Sequence, residues 1–291
     1  MIYYNTTGNR LKRGLLNFTK SISDGFTKPT GKFIADMVYG MIGSGSCKLT
    51  EIGRELKEEI SFKKTVDRLG RNLSAFSEKE VLMTNYLAMV RPYFGADTML
   101  LIDGGDVTKP CSPKMEAIGS VYDASESKYG DGYWTMGAVA LTENGQPIPV
   151  YENLYPCKAQ GGDGFSAETK RVLEHLRKTF GGNVPRIFDR GFDSGNVVKE
   201  LCRNNEAFIL RVNQNRVVVH NGKETNTEML VVDLICVSKR LQKYSAFMKN
   251  NKFFLYAVFD GISCVLAHLR TGISHFFKPN STFRQLCFDF P

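Results

Sequence analysis

Through the first ninety residues apolar positions recur at three- and four-residue intervals. LKRGLLNFTKSI, GKFIADMVYGMI and SEKEVLMTNYLAMV all carry this spacing, which predicts amphipathic helices. GSGSCKLT interrupts them, and Thr50 followed by Glu51 predicts the start of another helix over TEIGRELKEEI. From residue 99 the pattern changes to short apolar runs. MLLID (99–103), GYWTMGAVAL (132–141) and PIPVYENLY (147–155) read as strands, with ENGQP as the turn between the last two. SAETKRVLEHLRKTFGG then predicts a helix with Ser166 as cap, a stripe of Val172, Leu173, Leu176 and Phe180, and a Gly-Gly stop. RIFD (186–189), a helix over SGNVVKELCRNN capped by Ser194, and FILRV (208–212) follow. Three strands and then alternating helix and strand predict an α/β (α+β) domain with a mixed sheet.

Beyond 212 the pattern is weaker. RVVVHNGKET holds an Asn-Gly pair at 221–222 between strand-like residues, a hairpin signal. EMLVVDLICV is an apolar run. SKRLQKYSAFMKNNK and FFLYAVFDGISCVLAHL read as a basic and an apolar helix, and the tail SHFFKPNSTFRQLCFDFP has no clear period. The expected organisation is a helical region over 1–95, an α/β core over 96–234, and C-terminal helices with a tail over 235–291.

Composition changes this picture little. With 291 residues, 42% hydrophobic and 23% charged, the chain reads as globular, with about two domains. No apolar run reaches the ~18–20 residues that span a bilayer, and MIYYNTTGNRLKRG lacks an apolar signal core. The expectation is no membrane and a cytoplasmic setting. Seven scattered cysteines form no CxxC or CxxH pair, so neither a zinc site nor a disulfide framework is indicated.

Charge adds more. Residues 1–95 hold 15 Lys/Arg against 9 Asp/Glu, residues 96–234 hold 15 against 19, and residues 235–291 hold 8 against 2. Basic ends around an acidic centre suit a protein that holds a polyanion and works on it with carboxylates; an ordinary basic surface is the plainer account. The short helices of the first region are compatible with a helix-turn-helix-like DNA-binding module, and equally with a plain helical cap. Lys12 and Arg13 are the candidates there for DNA contact.

Two of the apolar strands end in aspartate, at Asp103 and Asp189. Adjacent strand ends can bring such residues to one edge of a sheet, where two carboxylates repel each other until a divalent cation neutralises them. A strand-end aspartate can also simply cap the next turn.

The ordered series LLIDGGDVTKP, KYGDGYWTMGAVAL, PIPVYENLYP and IFDRGFDSG resembles the DDE-type insertion-sequence transposases, in particular the insertion-sequence-four-like group. That resemblance covers about residues 10–220 and, more weakly, 239–275, and implies an RNase H-like mixed sheet with flanking helices. Asp103 would match the first acidic ligand, with Asp106 as fallback, and Asp189 the second. Their implied role is to bind two Mg²⁺ (or Mn²⁺) ions, which drive nicking of the element's ends and strand transfer into target DNA. Double-stranded DNA at terminal repeats and target, self-association on DNA and a nucleoid-associated bacterial location are implied with it. Arg190 and Lys109 are candidates for phosphate contact, against pairing of Arg190 with Asp193 and a solvated loop lysine. Trp134 reads as core, with base stacking as the sharper alternative, and His175 as a packing residue.

The family's third carboxylate is a glutamate on a helix, with Tyr and Arg upstream and Lys downstream. No acid after Asp189 has that setting. Asp233 has Lys239 six positions on, but lies in the apolar run VVDLIC and is a weak candidate. An internal deletion with LICVSKRL as its seam accounts for the gap. The resulting expectation is a transposase-derived chain with impaired or no catalysis. Alternatives are a non-catalytic DNA-binding remnant that occupies element ends or inhibits the full-length enzyme, and a nuclease on the same fold.

Overall fold

The computed structural model describes residues 2–112, 114–123, 126–156, 164–213, 215–220, 223–226, 242–248, 251–257 and 264–268. They fall into two compact units, Met1–Tyr93 and Phe94–Pro291.

The first unit is helical. α1 (Ile2–Ile22), α2 (Lys28–Ser44), α3 (Leu49–Leu56), α4 (Phe62–Ala75) and α5 (Lys79–Val90) surround a core of Ile22, Phe33, Ile34, Ile52 and Leu69. α2 starts where its pattern predicts, with the Thr27 hydroxyl accepting the Thr30 N–H and Pro29 in the first turn. A side chain on Gly40 would meet Ile52 at 2.4 Å, so α2 and α3 touch backbone to side chain. Thr50 does not cap α3; the cap position is Lys48, without a side-chain bond, and the helix stops at Leu56 because Lys57 turns left-handed (φ 47°). KEEI therefore lies outside it. α4 has no counterpart in the expected elements.

In the second unit β1 (Met99–Thr108), β2 (Gly119–Asp123), β3 (Lys128–Leu141) and β4 (Pro147–Tyr155) form antiparallel pairs around β3. α6 (Gly164–Phe180), β5 (Arg186–Phe188), α7 (Gly195–Arg203) and β6 (Phe208–Val212) follow, with β5 parallel to both β1 and β6. The order β4-β3-β1-β5-β6 is three antiparallel strands, then two parallel to the first. It is the mixed α/β sheet expected from the strand pattern, in the RNase H-like arrangement.

Three details differ from expectation. β1 does not end at Asp103: its ladder to β3 continues to Thr108 opposite Gly132, carried by the 14-residue β3. Ser166 lies inside α6 rather than capping it, whereas Ser194 does cap α7 by accepting the Val197 N–H at 3.2 Å. Finally, the described residues expected as C-terminal helices are strands. β9 (Gln242–Met248), β10 (Asn251–Ala257) and β11 (Cys264–His268) extend the sheet antiparallel from β6 within the second unit. Runs such as KFFLY hold aromatic residues that favour a pleated surface, and β6 offers a strand to pair with. β7 (Val217–His220) and β8 (Lys223–Asn226) form the hairpin expected around 221–222. EMLVVDLICV and the tail lie outside the described residues.

Candidate functional site

Ile102 of β1 pairs with Phe188 of β5 in parallel register, so Asp103 and Asp189 occupy the next positions of neighbouring strands on one face of the sheet. Asp103 Oδ1 accepts the N–H of Gly104 at 2.8 Å, and Asp189 Oδ1 accepts that of Gly191 at 2.8 Å. Asp189 thus caps the short 3₁₀ turn Arg190–Phe192 while remaining beside Asp103. Phe192 is buried against Phe165 and Phe188, ring centroids 5.0 and 5.3 Å away, which anchors that turn. Burial, and then the charge of Asp189, raise the pKa of Asp103 above its ordinary value. Neither carboxylate is ion-paired to a basic side chain among the described residues.

The second aspartate of DRGFD has a different task. Asp193 accepts the backbone N–H of Asn213 at 2.7 Å and its amide at 3.1 Å, and Arg216 pairs with it at 2.7 Å while its side chain is 1% exposed. It ties the turn after β5 to the end of β6. Arg190 is accordingly not Asp193's partner; it is exposed next to Asp189 with no side-chain partner among the described residues.

Asp106, three positions after Asp103, points to the opposite face of β1, cross-strand from half-buried Trp134. Lys109 lies six residues beyond Asp103 past the end of β1, about 20 Å along an extended strand, its N–H bonded to Asp131 O at 2.7 Å. His175 is half-buried against the Tyr151 ring, centroids 5.2 Å apart. Lys12 and Arg13 are exposed on α1 of the other unit. Asp233, Glu228, Asp260 and Asp289 lie outside the described residues.

One acid escaped the sequence reading. Glu152 of β4 is cross-strand from Gly137 of β3, which is itself cross-strand from Asp103. The row Asp189, Asp103, Gly137, Glu152 therefore shares a face. A side chain at position 137 would meet Glu152 Oε2 at 3.0 Å, so the carboxylate lies over the space the glycine leaves. Burial raises the pKa of Glu152. The alternation in PIPVYENLY places Glu152 on the face opposite Tyr151, but only the register across β3 relates it to Asp103. Among the described residues no group of three His, Cys, Asp or Glu is placed to hold one metal ion. Asp103 and Asp189 by themselves suit a divalent cation: two hard oxygen donors without a competing ammonium or guanidinium, other positions being left to water or phosphate oxygens.

No protein-family model matches the sequence, and no curated protein matches it. Among solved structures, the chain is similar to a piggyBac transposase in a synaptic complex with hairpin DNA, at 16% identity and a TM-score of 0.41 over 87% of this chain and 57% of that one. It is also similar to Marinitoga piezophila Argonaute in complex with 5′ OH guide RNA, at 10% identity and a TM-score of 0.27 over 83% of this chain and 34% of that one. The chain thus spans little more than half the length of the transposase chain. No helix among the described residues is long and apolar enough to cross a membrane.

Proposed function

We propose that the chain is a DNA transposase of the DDE class by descent, with insertion-sequence-four-like ancestry, acting on double-stranded DNA at element ends. The observation that supports this most is the adjacency of Asp103 and Asp189 on one sheet face with no basic side chain between them. The two carboxylates would hold Mg²⁺ or Mn²⁺. When bound, that metal lowers the pKa of an attacking water or 3′-hydroxyl and stabilises the oxygen that leaves phosphorus. Arg190, exposed and unpartnered beside Asp189, would hold a phosphate of the strand being cut. Asp106 and Lys109 have no part in this reading, because one faces away and the other lies beyond the strand. Asp193 serves the fold.

The test is Mg²⁺-dependent nicking of duplex DNA carrying the ends of the element that encodes the chain, followed by joining of the freed 3′-hydroxyl to a target. Nicking that disappears in Asp189→Asn supports the proposal. A second reading is favoured by the lack, within these 291 residues, of a glutamate in the family's Tyr, Arg, Glu, Lys setting. On that reading the chain occupies element ends without cutting them, and it prevails if end DNA is bound but stays intact in both Mg²⁺ and Mn²⁺. If end DNA is neither bound nor nicked, both readings fail.

A further inference from the structure

We infer that α4 is the helix that lies against DNA, its outward face meeting the major groove and flanking phosphates of a duplex. This deepens the proposed function and rests on its DNA-binding part. It moves the contact from Lys12 and Arg13 on α1 to an element that the hydrophobic pattern did not bring out.

The argument starts from how the first unit is built. α3 has 8 residues, the connection 57–61 opens with left-handed Lys57, and α4 has 14 residues. A short helix, a tight connection and a longer helix form the arrangement in which the second helix is presented to a groove. The inner helices are locked in place. Thr65 and Leu69 of α4 are buried, and Arg68 is held by Asp36 and Glu58, both at 2.8 Å. On α3, Arg54 pairs with Glu51 and stacks over the Phe62 ring, 5.4 Å from its centroid. Arg68 on the core side of α4 and the exposed Arg54 beside it are thus both engaged within the unit.

The outward face is the reverse. Lys63, Lys64, Asp67, Arg71 and Ser74 are all exposed. At 100° per residue they cover one continuous stripe opposite Thr65 and Leu69. Among the described residues, none of Lys63, Lys64 and Arg71 has a side-chain partner. Helix α4 is about 21 Å long at 1.5 Å per residue, so the stripe can follow a major groove about 12 Å wide and reach phosphates on both edges. Three unpaired cations on a rigid helix suit a polyanion of regular spacing. The single acid in their midst suits a base edge, since a carboxylate accepts from cytosine N4 and repels phosphate.

The experiment measures binding of the full chain to a 30-bp duplex pool of random sequence by fluorescence anisotropy, across a salt series. Each phosphate contact contributes about 0.9 to the slope of log K against log salt. Lys64→Ala/Arg71→Ala is expected to reduce that slope by about 2 and to weaken binding at every salt concentration. Lys12→Ala/Arg13→Ala is expected to leave both nearly unchanged. Asp67→Asn is expected to tighten binding a few-fold, a gain that a misfolded protein does not produce. If the α4 double variant keeps the wild-type slope, or the loss appears in the α1 variant instead, the inference falls while DNA binding stands. If the wild-type chain does not bind the duplex at all, the DNA reading itself falls and this inference with it.

Discussion

The two faces of the central sheet treat carboxylates in opposite ways. On the face under α6, Glu168 is fully buried and saturated: Tyr151 donates to it at 2.5 Å, Asn153 at 2.8 Å and Arg171 at 2.9 Å. Tyr151 and Asn153 lie on β4 on either side of Glu152, which points the other way. On that other face Asp103, Asp189 and Glu152 share a row without a guanidinium or ammonium among them. A buried carboxylate needs donors, and the fold supplies them where the acid is structural. Where the acids repel each other without such donors, a cation is what the proposed function would add. Exposure and donor set change together: Glu168 is buried and saturated with donors, whereas Asp103, Asp189 and Glu152 are exposed and have no basic partner among the described residues. Asp193 shows the buried kind within one motif: four residues from Asp189, its side chain is buried, paired with Arg216 and accepting from Asn213.

The largest test of this contrast is catalytic. Asp103→Asn and Asp189→Asn are each expected to lower any Mg²⁺-dependent nicking rate by about a thousandfold or more, with no fall in the thermal midpoint. Equal loss of folding and nicking would erase the distinction. Next in size, Asp193→Ala removes the carboxylate that pairs with Arg216 and accepts the Asn213 N–H, and is expected to destabilise the protein by about 1–3 kcal/mol in urea unfolding. If Asp193→Ala kept full stability and lost only activity, Asp193 would belong with the site acids.

A smaller effect separates the faces by pH. Burial pushes Glu168 upward, but hydrogen bonds from Tyr151, Asn153 and Arg171 outweigh it and leave its pKa lowered. A carboxyl lowered by folding contributes stability above its unfolded pKa and loses it as pH falls through the folded value. Glu168→Gln is therefore expected to cost about 1–2 kcal/mol near neutral pH and progressively less below about pH 4. Parallel stability–pH curves for wild type and variant would contradict this.

How much of this could be read from the chain depended on how local the cause was. β4 and β6 match PIPVYENLY and FILRV residue for residue, and Ser194 caps α7, because alternation and a cap are properties of a few adjacent residues. The Asp103–Asp189 pair was legible once two apolar runs ended in acids, although β1 itself continues five residues past Asp103. Glu152 was not legible, because its relation to Asp103 passes through Gly137 and exists only in the register of three strands. α4 escaped notice because its buried stripe includes Thr65 and a charged Arg68, so the apolar signal is thin. The strands at 242–268 read as helices because short aromatic runs have no decisive period; partner strands settle it.

The smallest test concerns Asp103 alone. Its pKa is raised, by burial first and by Asp189 second, so the sign is opposite to that of Glu168. Folding favours the protonated carboxyl, and the stability this confers is present below the unfolded pKa and lost as pH rises through the folded one. At neutral pH the folded protein holds a charge it would be better without. Asp103→Asn removes that charge and is expected to stabilise by up to about 1 kcal/mol, the size of a partly solvated charge pair. On the proposed reading millimolar Mg²⁺ would relieve the same repulsion in the wild type, so it is expected to raise the thermal midpoint there and leave Asp103→Asn almost unmoved. Two outcomes would sink the contrast between the faces. One is Asp103→Asn less stable than wild type, which would make Asp103 a structural acid like Glu168. The other is an equal Mg²⁺ response in both proteins, which would place the cation elsewhere.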